Sequence, residues 1–432
     1  MQLLLATLVG KIIALISRAL KIGGGSAAPG LYALKICPEL VEGLAGRIPQ
    51  NVVITGTNGK TTTARILAHL ATGSGLRVIR NSTGSNLERG IASALISSAH
   101  LGGVSGRHLG IWELDEAAFN SVAPKLKPDI VVFLNVFRDQ LDRYGEVDTV
   151  VKRWTESLAN LPRESIILVN GDDANTAKLK SAFKGKVYKF GVKDYKIVGE
   201  SIKHQRETEN FDLEAINVKL KGLDGSSFSI VLHDKPYPVT LPIPGVYHIY
   251  DFLAAFFAGH ELGFSTDSMI SSLKNFQPAF GRVEKLPFGY IFLIKNPAGA
   301  TQVFETLAPQ IKPGDRLLIA LNDNLADGTD VSWVWDAEFE KLQNSPGANV
   351  IHPPGVKVIV SGTRAKDLAV RLKYAGFEPE FVKVEPNLGR ALKEARTGLK
   401  GQLYILPTYT ALLELQKILA KMRVKKHYWQ DE

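Results

Sequence analysis

The stretch from residue 51 to residue 63, Asn-Val-Val-Ile-Thr-Gly-Thr-Asn-Gly-Lys-Thr-Thr-Thr, constrains the fold of this chain more than any other. A short apolar strand runs into a glycine turn, and Lys60 and Thr61 follow at the start of a helical pattern. Backbone N–H groups in such a turn point at phosphate oxygens, and the helix N-terminus adds positive potential. A plain glycine turn is the alternative, but strand, turn, Lys-Thr pair and helix occur in the order of a phosphate cradle.

The predicted phosphate loop is shorter than the standard P-loop. Counting back from Lys60, the first glycine of the standard motif would fall on Ile54, so the loop begins at Gly56 instead. Lys60 is expected to reach the β- and γ-phosphates of a nucleotide, and Thr61 is expected to ligate Mg²⁺. The residues predicted to bind the nucleotide here are Gly56, Thr57, Asn58, Gly59, Lys60, Thr61 and Thr62.

The distribution of apolar runs predicts an α/β protein. From about residue 50 to residue 175, short apolar runs alternate with helical patterns, which indicates a parallel sheet covered on both faces. Residues 186–243 alternate on a short period and predict an antiparallel β insertion, and the strand–helix pattern then restarts. We therefore predict an N-terminal helix with a Gly-rich loop (1–45), a central ATP-binding domain (46–283) and a C-terminal α/β domain (284–432).

Glu113 lies at the C-terminal end of a predicted strand, within the motif Glu-Leu-Asp-Glu that ends at Glu116. Ligands of open α/β sheets bind at that edge, and a carboxylate there can hold Mg²⁺ opposite a phosphate loop. We therefore predict that Thr61 and Glu113 are the Mg²⁺ ligands. For Asp115 and Glu116, an exposed acidic loop is the alternative interpretation.

Charge and cysteine content narrow the classes of ligand. The net charge of +9 favours anionic ligands such as nucleotides, diphosphate lipids, membrane surfaces or nucleic acid. The basic residues are dispersed apart from a tail at 421–426, and no nucleic-acid partner is predicted. Cys37 is the single cysteine, which excludes a disulfide framework and a cysteine-based zinc site and is consistent with a reducing cytoplasm.

Residues 1–20 are apolar enough to raise the question of a membrane segment. Lys11 interrupts them, and they are too short and too charged for a membrane span. One helical face, with members three or four residues apart, is formed by Leu4, Leu8, Ile12, Leu15 and Ala19. A helix docked on the body of the protein is the favoured interpretation, and peripheral contact of this helix with a membrane surface is the alternative.

A series of motifs occurs in the order seen in the Mur ligases, and the chain resembles that family. These motifs are Thr55-Gly-Thr-Asn-Gly-Lys-Thr-Thr62, the glutamate at 113, Arg138-Asp-Gln-Leu-Asp-Arg-Tyr-Gly145, Asn170-Gly-Asp-Asp173, the helix with Gly245 and Leu253-Ala-Ala255, and Gly281-Arg-Val-Glu284. Mur ligases form amide bonds through an ATP-driven acyl phosphate. The resemblance implies a Mur-ligase-like central parallel-sheet ATPase domain with a β insertion, followed by a C-terminal Rossmann-like α/β domain.

Within that family the chain resembles the MurT type, the ligase subunit of lipid II isoglutaminyl synthase. The distinguishing stretches are Lys295-Asn-Pro-Ala-Gly299, residues 321–333, Ser361-Gly-Thr-Arg-Ala365 and Pro407-Thr-Tyr-Thr410. The resemblance implies ATP-dependent amidation of the D-glutamate α-carboxyl of the peptidoglycan precursor lipid II to D-isoglutamine. It also implies a heterodimer with a GatD-like glutaminase, which supplies the ammonia.

The resemblance implies roles for individual residues as well. Arg282 is a candidate to stabilise the charge that develops during acyl phosphate chemistry. Asp330 would complete a Cys-His-Asp triad whose Cys and His belong to the glutaminase. Alternatively, the aspartates of this stretch, Asp330 among them, simply build a turn. The predicted catalytic residues are Lys60, Glu113, Arg282 and Asp330.

The chain departs from the family pattern in two places. Many relatives carry a four-cysteine zinc ribbon in the central domain, whereas this chain has no cysteine there, so the expected cofactors are ATP and Mg²⁺ without zinc. His248 and Asp251 stand where relatives usually have asparagines that face the nucleotide, and both are kept as predicted nucleotide-binding residues.

Two other functions stay open at this point. An amino-acid-adding Mur or folylpolyglutamate-type ligase would use an amino acid in place of ammonia, and residues 322–333 argue against it. A scaffold that binds nucleotide and only supports the glutaminase is suggested by His248 and Asp251, whereas the intact Lys60 and Glu113 argue against it. The expected location is the cytoplasm, with the inner face of the membrane as a more specific alternative.

Overall fold

The computed structural model of the protein contains two large β-sheets. The structure describes residues 1–19, 27–81, 85–99, 108–137, 147–198, 201–204, 210–277, 283–343 and 356–424. Within these ranges, one sheet has nine strands, one has six, and a separate hairpin has two. The predicted α/β architecture with parallel sheets is confirmed, while the exact domain limits stay predictions.

The first part of the chain supplies three N-terminal helices and the nine-stranded sheet with its helices. The N-terminal helices are α1 (Gln2–Ala19), α2 (Ala28–Ile36) and α3 (Leu40–Ala45). The strands are β1 (Gln50–Thr55), β2 (Arg77–Arg80), β3 (His108–Leu114), β4 (Ile130–Phe133), β5 (Ile166–Asn170), β6 (Lys186–Val192), β7 (Tyr195–Val198), β8 (Ser201–His204), β9 (Leu213–Leu220), β10 (Ser226–Leu232) and β11 (Lys235–Leu241). The helices are α4 (Lys60–Gly73), α5 (Glu88–Ser98), α6 (Phe119–Leu126), α7 (Val147–Leu158), α8 (Ala174–Ala177), α9 (Val246–Glu261) and α10 (Thr266–Ser272).

The nine-stranded sheet has the order β11-β10-β9-β6-β5-β4-β1-β3-β2. Along β1, Val52 and Ile54 belong to the core on one face and Val53 to the core on the other, which explains the continuous apolar run of a strand covered on both sides. In the register, Thr55 lies beside Leu114 of β3 and Phe133 of β4, so the loops that follow these three strands meet at one edge.

The segment 186–243, predicted as an antiparallel β insertion, is antiparallel only in part. Strand β6 pairs in parallel with β5, and β9 pairs in parallel with β6, so both continue the central sheet. Only β10 and β11 add antiparallel pairings to that sheet, and β7 and β8 form the separate hairpin. The prediction was wrong for β6 because half-buried parallel and antiparallel strands share the same two-residue alternation.

The second sheet has the order β12-β13-β17-β14-β15-β16 and is parallel apart from the β12–β13 pair. Its strands are β12 (Glu284–Leu286), β13 (Gly289–Ile291), β14 (Arg316–Ala320), β15 (Lys357–Ser361), β16 (Val382–Val384) and β17 (Leu403–Pro407). Its helices are α11 (Pro297–Leu307), α12 (Ala365–Tyr374), α13 (Leu388–Arg396) and α14 (Tyr409–Lys421). Ala320 lies beside Ser361 and Pro407, so the loops after β14, β15 and β17 also converge at one edge.

The N-terminal helix α1 docks on the body, as the favoured interpretation holds, but through small residues. Ala6 and Gly10 are buried, and a Cβ on Gly10 would lie only 2.7 Å from Cδ1 of Ile96 in α5. The apolar face that the sequence marks for docking points outward instead, since Leu8 is 46% exposed and Leu15 is 65% exposed. Among the residues that the structure describes, no helix is long and apolar enough to cross a membrane.

Candidate active site

The loop between β1 and α4 has the backbone geometry of an anion cradle. Gly56 has a φ of 140° and Gly59 a φ of 90°, values that residues with a Cβ rarely adopt. A Cβ on Gly59 would lie 2.1 Å from Oδ1 of Asp251, so the loop also needs glycine there for space. The N-cap residue of α4 is Gly59, which has no side chain to cap the helix, so the first N–H groups of α4 are suited to a ligand.

Asn135, at the end of β4, holds the phosphate loop in place. Its Oδ1 accepts a hydrogen bond of 2.8 Å from the backbone N–H of Asn58, and its Nδ2 donates to the carbonyl of Asn58 at 3.1 Å. Next to it, Thr57 Oγ1 accepts from the N–H of Phe137 at 3.0 Å. The loop conformation is therefore fixed by the neighbouring strand, and a ligand meets a preformed cradle.

Lys60 is held at the centre of the loop and is largely buried, with its side chain 11% exposed. Its Nζ forms an ion pair of 3.1 Å with Oε2 of Glu116, donates to the carbonyl of Thr57 at 3.3 Å and also contacts the carbonyl of Gly56. Glu116 itself is only 6% exposed. The alternative interpretation of Glu116 as part of an exposed acidic loop is therefore wrong.

Thr61 and Glu113, the predicted metal ligands, lie side by side. Oγ1 of Thr61 donates to Oε2 of Glu113 at 2.7 Å, and Glu113 is 4% exposed. Asn81 fixes the end of β3, because its amide exchanges two backbone hydrogen bonds of 2.9 Å with Glu113. Two hard oxygen donors thus converge next to the phosphate loop, which suits Mg²⁺.

A partly open cleft adjoins the phosphate loop. Its walls come from the loop, the hairpin β7–β8, helix α9 and helix α11, through residues that include Asn58, Ile197, Tyr250, Asp251 and Gln302. Apolar side chains with a few polar groups next to a phosphate cradle are the kind of lining that nucleotide sites use.

Asp251 and His248 form a buried pair behind this cleft. Nδ1 of His248 lies 2.9 Å from Oδ2 of Asp251, and Oδ1 of Asp251 accepts a hydrogen bond of 3.4 Å from Thr63 in α4. Asp251 lines the cleft, whereas His248 is 1% exposed and is not among the residues that line the cleft. Of the two predicted nucleotide-binding residues, the geometry gives direct access only to Asp251.

Tyr250 brings a neutral hydrogen-bond donor to the wall of the cleft. Its hydroxyl donates to Oδ2 of Asp172 at 2.8 Å, and the same oxygen accepts from the N–H of Val192 at 2.7 Å. Burial, followed by the charge of Asp172, raises the pKa of Tyr250 well above its usual value of 10.0. The tyrosine therefore stays protonated and ties α9 to the end of β5.

The second sheet contributes two residues to the phosphate loop that sequence reasoning missed. Asn296, the N-cap of α11, exchanges two side-chain hydrogen bonds with Asn58, at 3.2 and 3.0 Å. Nζ of Lys295 donates to the carbonyl of Thr57 at 3.2 Å. The stretch 295–299 stood out in the sequence, and its Asn-Pro pair signals a helix start, but nothing there indicated a contact with the loop.

A second cluster forms at the carboxyl edge of the second sheet. Oδ1 of Asp327 accepts from the N–H of Thr410 at 2.8 Å, while Nδ2 of Asn324 and Nδ2 of Asn322 donate to Oγ1 of Thr410 at 2.8 and 3.0 Å. Oδ1 of Asn322 accepts from the N–H of Thr363 at 3.0 Å. The three stretches 321–333, 361–365 and 407–410, which the sequence marked separately, thus build one structure.

Asp330 lies exposed on this second cluster. Its Oδ1 accepts a hydrogen bond of 2.8 Å from the N–H of Ser332, and hydrogen bonds from Ser332 hold the pKa of Asp330 below its usual value of 3.8. The carboxylate is ionised at neutral pH and open to another molecule. The bond from the N–H of Ser332, two residues on, is that of an Asx turn, so Asp330 builds a turn as the alternative interpretation expects and is also exposed to a partner.

Two predicted parts of the site lie outside the described residues. Arg282 is one of them, and the motif from Arg138 to Gly145 is the other. The structure therefore brings together Lys60, Thr61, Glu113 and Asp251 around the phosphate loop, with Asp330 on the separate cluster of the second sheet.

Two protein families match different parts of this chain. Residues 54–259 match the Mur ligase middle domain family, and residues 293–412 match the MurT ligase C-terminal family. The MurT subunit of lipid II isoglutaminyl synthase from Staphylococcus aureus (strain COL) is 30% identical over 90% of this chain and 91% of its own length. The corresponding subunit from Streptococcus pneumoniae is 29% identical over 94% of both chains.

A solved structure supports the fold. The MurF ligase from Thermotoga maritima, crystallised in complex with ADP, superimposes with a TM-score of 0.66 at 17% identity, over 90% of this chain and 85% of that chain. Matches to both family descriptions and 30% identity along nearly the whole length establish the relationship. The chain belongs to the Mur ligase family, and within it to the MurT group.

Proposed function

We propose that this protein is the ligase subunit of a lipid II isoglutaminyl synthase. It would use ATP to activate the α-carboxyl of the D-glutamate residue in lipid II and would then replace the phosphate by ammonia, giving D-isoglutamine. The observation that carries the proposal is the similarity to MurT subunits over 90% of the chain or more, which spans both the phosphate loop and the Asp330 cluster.

The residues of the phosphate loop fit the triphosphate of ATP. Gly56 and Gly59 leave room where a Cβ would intrude, and the uncapped N-terminus of α4 favours negative charge. A related ligase of the same fold is named as an ADP complex. Lys60 already points into the loop, so an arriving γ-phosphate can take over the ammonium from Glu116 and the loop carbonyls.

The pair Thr61–Glu113 fits Mg²⁺. The cation usually takes one or two protein oxygens and completes its shell with phosphate oxygens and water, and Thr61 Oγ1 and Glu113 Oε2 offer such a pair 2.7 Å apart. When bound, Mg²⁺ supplies positive charge that screens the phosphates. Zinc has no part in this proposal.

The reaction proceeds by two displacements that need no covalent enzyme intermediate. A carboxylate oxygen of the substrate attacks the γ-phosphorus, the bond to ADP breaks, and an acyl phosphate forms. Ammonia then attacks the acyl carbon, phosphate leaves, and the nitrogen loses a proton. Lys60 stabilises the transferred phosphoryl group, and the cleft positions the nucleotide. Arg282 is proposed to stabilise developing charge in the same reaction.

Asp330 is proposed to act on the ammonia supply. An exposed, ionised carboxylate can accept a hydrogen bond from the histidine of a GatD-like glutaminase bound to the second sheet, orienting that histidine toward the glutaminase cysteine. This arrangement requires a heterodimer, which the word "subunit" in the names of the related proteins also suggests. The nucleotide and the precursor would both be met in the cytoplasm.

The reaction can be tested by mass spectrometry of lipid II incubated with the purified chain, ATP, Mg²⁺ and ammonium. Conversion of the acid to the amide is the expected result. A parallel reaction with free amino acids instead of ammonium tests the amino-acid-adding alternative, since addition of a whole amino acid would move the chain to that class. No product in either reaction, with nucleotide still bound, would favour the scaffold alternative.

A further inference from the structure

Helix α1 presents an apolar face to solvent. This outer face consists of Leu4, Leu5, Leu8, Ile12, Leu15 and Ile16, which are 46–65% exposed. At about 100° per residue, these side chains fall within an arc of about 120°, and Ala6 and Gly10, which pack against the body, lie on the opposite side. Single exposed aliphatic residues are ordinary, but a continuous row along a helix marks an interaction surface.

The sequence of the N-terminal segment that contains α1 carries charge of one sign. No Asp or Glu occurs before Glu39, whereas Lys11, Arg18, Lys21 and Lys35 all do. Lys11 lies three residues after Leu8 and four before Leu15, so it borders the outer face on the helix. Long basic side chains at the margin of an apolar face keep their charge in water while their stems cover apolar surface.

Helix α2 adds residues of the same character. Leu31 is 40% exposed and Tyr32 is 50% exposed, and the ammonium of Lys35 lies 5.5 Å from the centroid of the Tyr32 ring. A tyrosine beside a lysine suits the headgroup region of a bilayer, where one end of the ring is apolar and the other is wet.

We propose that the outer face of α1 docks on an anionic phospholipid surface. Since the inner face of the helix is fixed to α5 through Gly10 and Ile96, the helix would lie in the plane of the surface with its outer residues among the headgroups. A second copy of the chain is disfavoured as the occupant, because it would bring the basic N-terminal segments of both copies together. The inference goes beyond the proposed reaction, and vesicle binding can be measured without that reaction.

Sedimentation of the full-length chain with vesicles tests this proposal. We expect at least about tenfold more binding to vesicles of phosphatidylcholine with phosphatidylglycerol than to phosphatidylcholine alone, with less binding at high salt. The triple variant Leu8→Gln, Ile12→Gln, Leu15→Gln should lose this binding. A matched control, Leu220→Gln with Val370→Gln, changes residues that are 50% and 49% exposed elsewhere and should bind as the wild type does.

A second variant protects the test against misfolding. Lys11→Glu keeps every apolar residue and should weaken binding to the anionic vesicles severalfold, and thermal melts of all variants check that each one folds. Wild-type protein that ignores anionic vesicles, or a folded triple variant that binds them as well as the wild type, would overturn the proposal. A dimer in light scattering that the triple variant breaks would assign the face to a second copy instead.

Discussion

At the scale of single residues, substitutions at Gly59 and Gly75 can distinguish the effect of backbone strain from that of steric crowding. Gly59 has a φ of 90° and would place a Cβ 2.1 Å from Oδ1 of Asp251. Gly75, just after α4, has a φ of 80°, but a Cβ added there would meet no atom of the described residues within 4 Å. A residue with a Cβ would therefore carry similar backbone strain at both positions. Only at Gly59 would its Cβ also crowd the phosphate loop.

We predict that Gly59→Ala raises the Kd for ATP by at least about tenfold, because the Cβ must displace Asp251 or the loop. Gly75→Ala should lower the free energy of unfolding by about 1 kcal/mol and leave the Kd for ATP unchanged. Isothermal titration with ATP and urea unfolding provide the two measurements. Equal Kd values for the two variants would show that crowding against Asp251 has no effect.

Lys60→Ala should reduce ATP turnover on the order of 10²–10³-fold, because the transferred phosphoryl group loses the ammonium that is held at the centre of the loop. The matched control is Lys125→Ala, which also removes a lysine paired with a glutamate, Glu88, but away from the phosphate loop. Hydrolysis in the presence of lipid II and ammonium is the assay. Activity that survives Lys60→Ala would assign it to another site.

Tyr250 gives a prediction for alkaline pH. Its folded-state pKa is raised, so the stability that its protonated form contributes is complete below about pH 10 and is lost as the pH rises through the folded-state value. Tyr250→Phe should cost about 1 kcal/mol at neutral pH through the lost bond to Asp172. Its deficit relative to the wild type should shrink above about pH 10.

Urea unfolding as a function of pH measures this deficit. Tyr374→Phe is the control, because Tyr374 is 74% exposed and its removal should shift the free energy of unfolding little at any pH. A Tyr250→Phe deficit that stays constant up to about pH 11, or grows, would contradict the raised pKa.

The sequence predicts the phosphate loop and the carboxylate Glu113 that meets it from another strand, but not the contacts by which Asn135 and Glu116 hold the loop. Gly56 to Thr62 form a contiguous motif, so its phosphate-binding chemistry can be inferred from the sequence without knowledge of the fold. Asn135 and Glu116 reach the same loop from the ends of other strands, 77 and 56 positions from their partners. Asparagine and glutamate at strand ends have many ordinary roles, so only the register of the sheet distinguishes these two.

At the scale of elements, helix α11 depends on Asn296 for two separate functions. Oδ1 of Asn296 accepts from the N–H of Gly299 at 2.9 Å and caps the helix, and its amide also pairs with Asn58. Helix α13 has a cap of the same kind in Asn387, whose Oδ1 accepts from the N–H of Arg390 at 2.9 Å. The described contacts of Asn387 stay within its own segment.

Both Asn296→Ala and Asn387→Ala should lower the free energy of unfolding by about 1 kcal/mol through loss of a helix cap. Only Asn296→Ala should also raise the KM for ATP, by about three- to tenfold, because the phosphate loop loses its partner in the second sheet. Urea unfolding and steady-state kinetics test the pair. An unchanged KM in Asn296→Ala would mean that the link to Asn58 does not support nucleotide binding.

The type of an element could be predicted where the spacing of apolar residues agreed with a glycine or proline at the end of the element. The helix that the family motif with Leu253-Ala-Ala255 implies is found as Val246–Glu261, since an apolar pattern begins directly after Gly245, which has a φ of 97°. Strand β6 shows the limit of this reasoning. Its alternation indicates a strand, but whether it pairs with β5 in parallel depends on contacts between segments distant in sequence.

At the scale of the whole molecule, the phosphate loop and the Asp330 cluster lie on different sheets, which gives a way to separate the two half-reactions. With a glutaminase partner present, Asp330→Asn should reduce glutamine-dependent amidation on the order of 10³-fold, because the amide cannot orient a histidine as the carboxylate does. Amidation with free ammonium should stay within about twofold of the wild type, since Lys60 and Glu113 are untouched.

The ammonium reaction is the internal control, and Asp224→Asn, at an exposed aspartate of the first part of the chain, controls for loss of surface charge. Equal loss with both nitrogen sources would contradict a role of Asp330 in the ammonia supply.

The overall architecture could be predicted because parallel strands repeat the same strand–helix unit. The contacts between the two parts of the chain could not, since they join residues distant in sequence, such as Asn58 with Asn296 and Phe137 with Ala298.

The amide pair between Asn58 and Asn296 also sets an order of events during synthesis. The two residues are 238 positions apart, and every strand of the nine-stranded sheet ends by Leu241. At roughly 5–20 residues per second, Asn296 leaves the ribosome on the order of 10–50 s after Asn58. The last strand of the first sheet ends at Leu241, which leaves the ribosome roughly 3–11 s before Asn296. The first sheet can therefore form before the loop acquires its partner, and the proposed nucleotide site is completed only when the segment after β13 arrives.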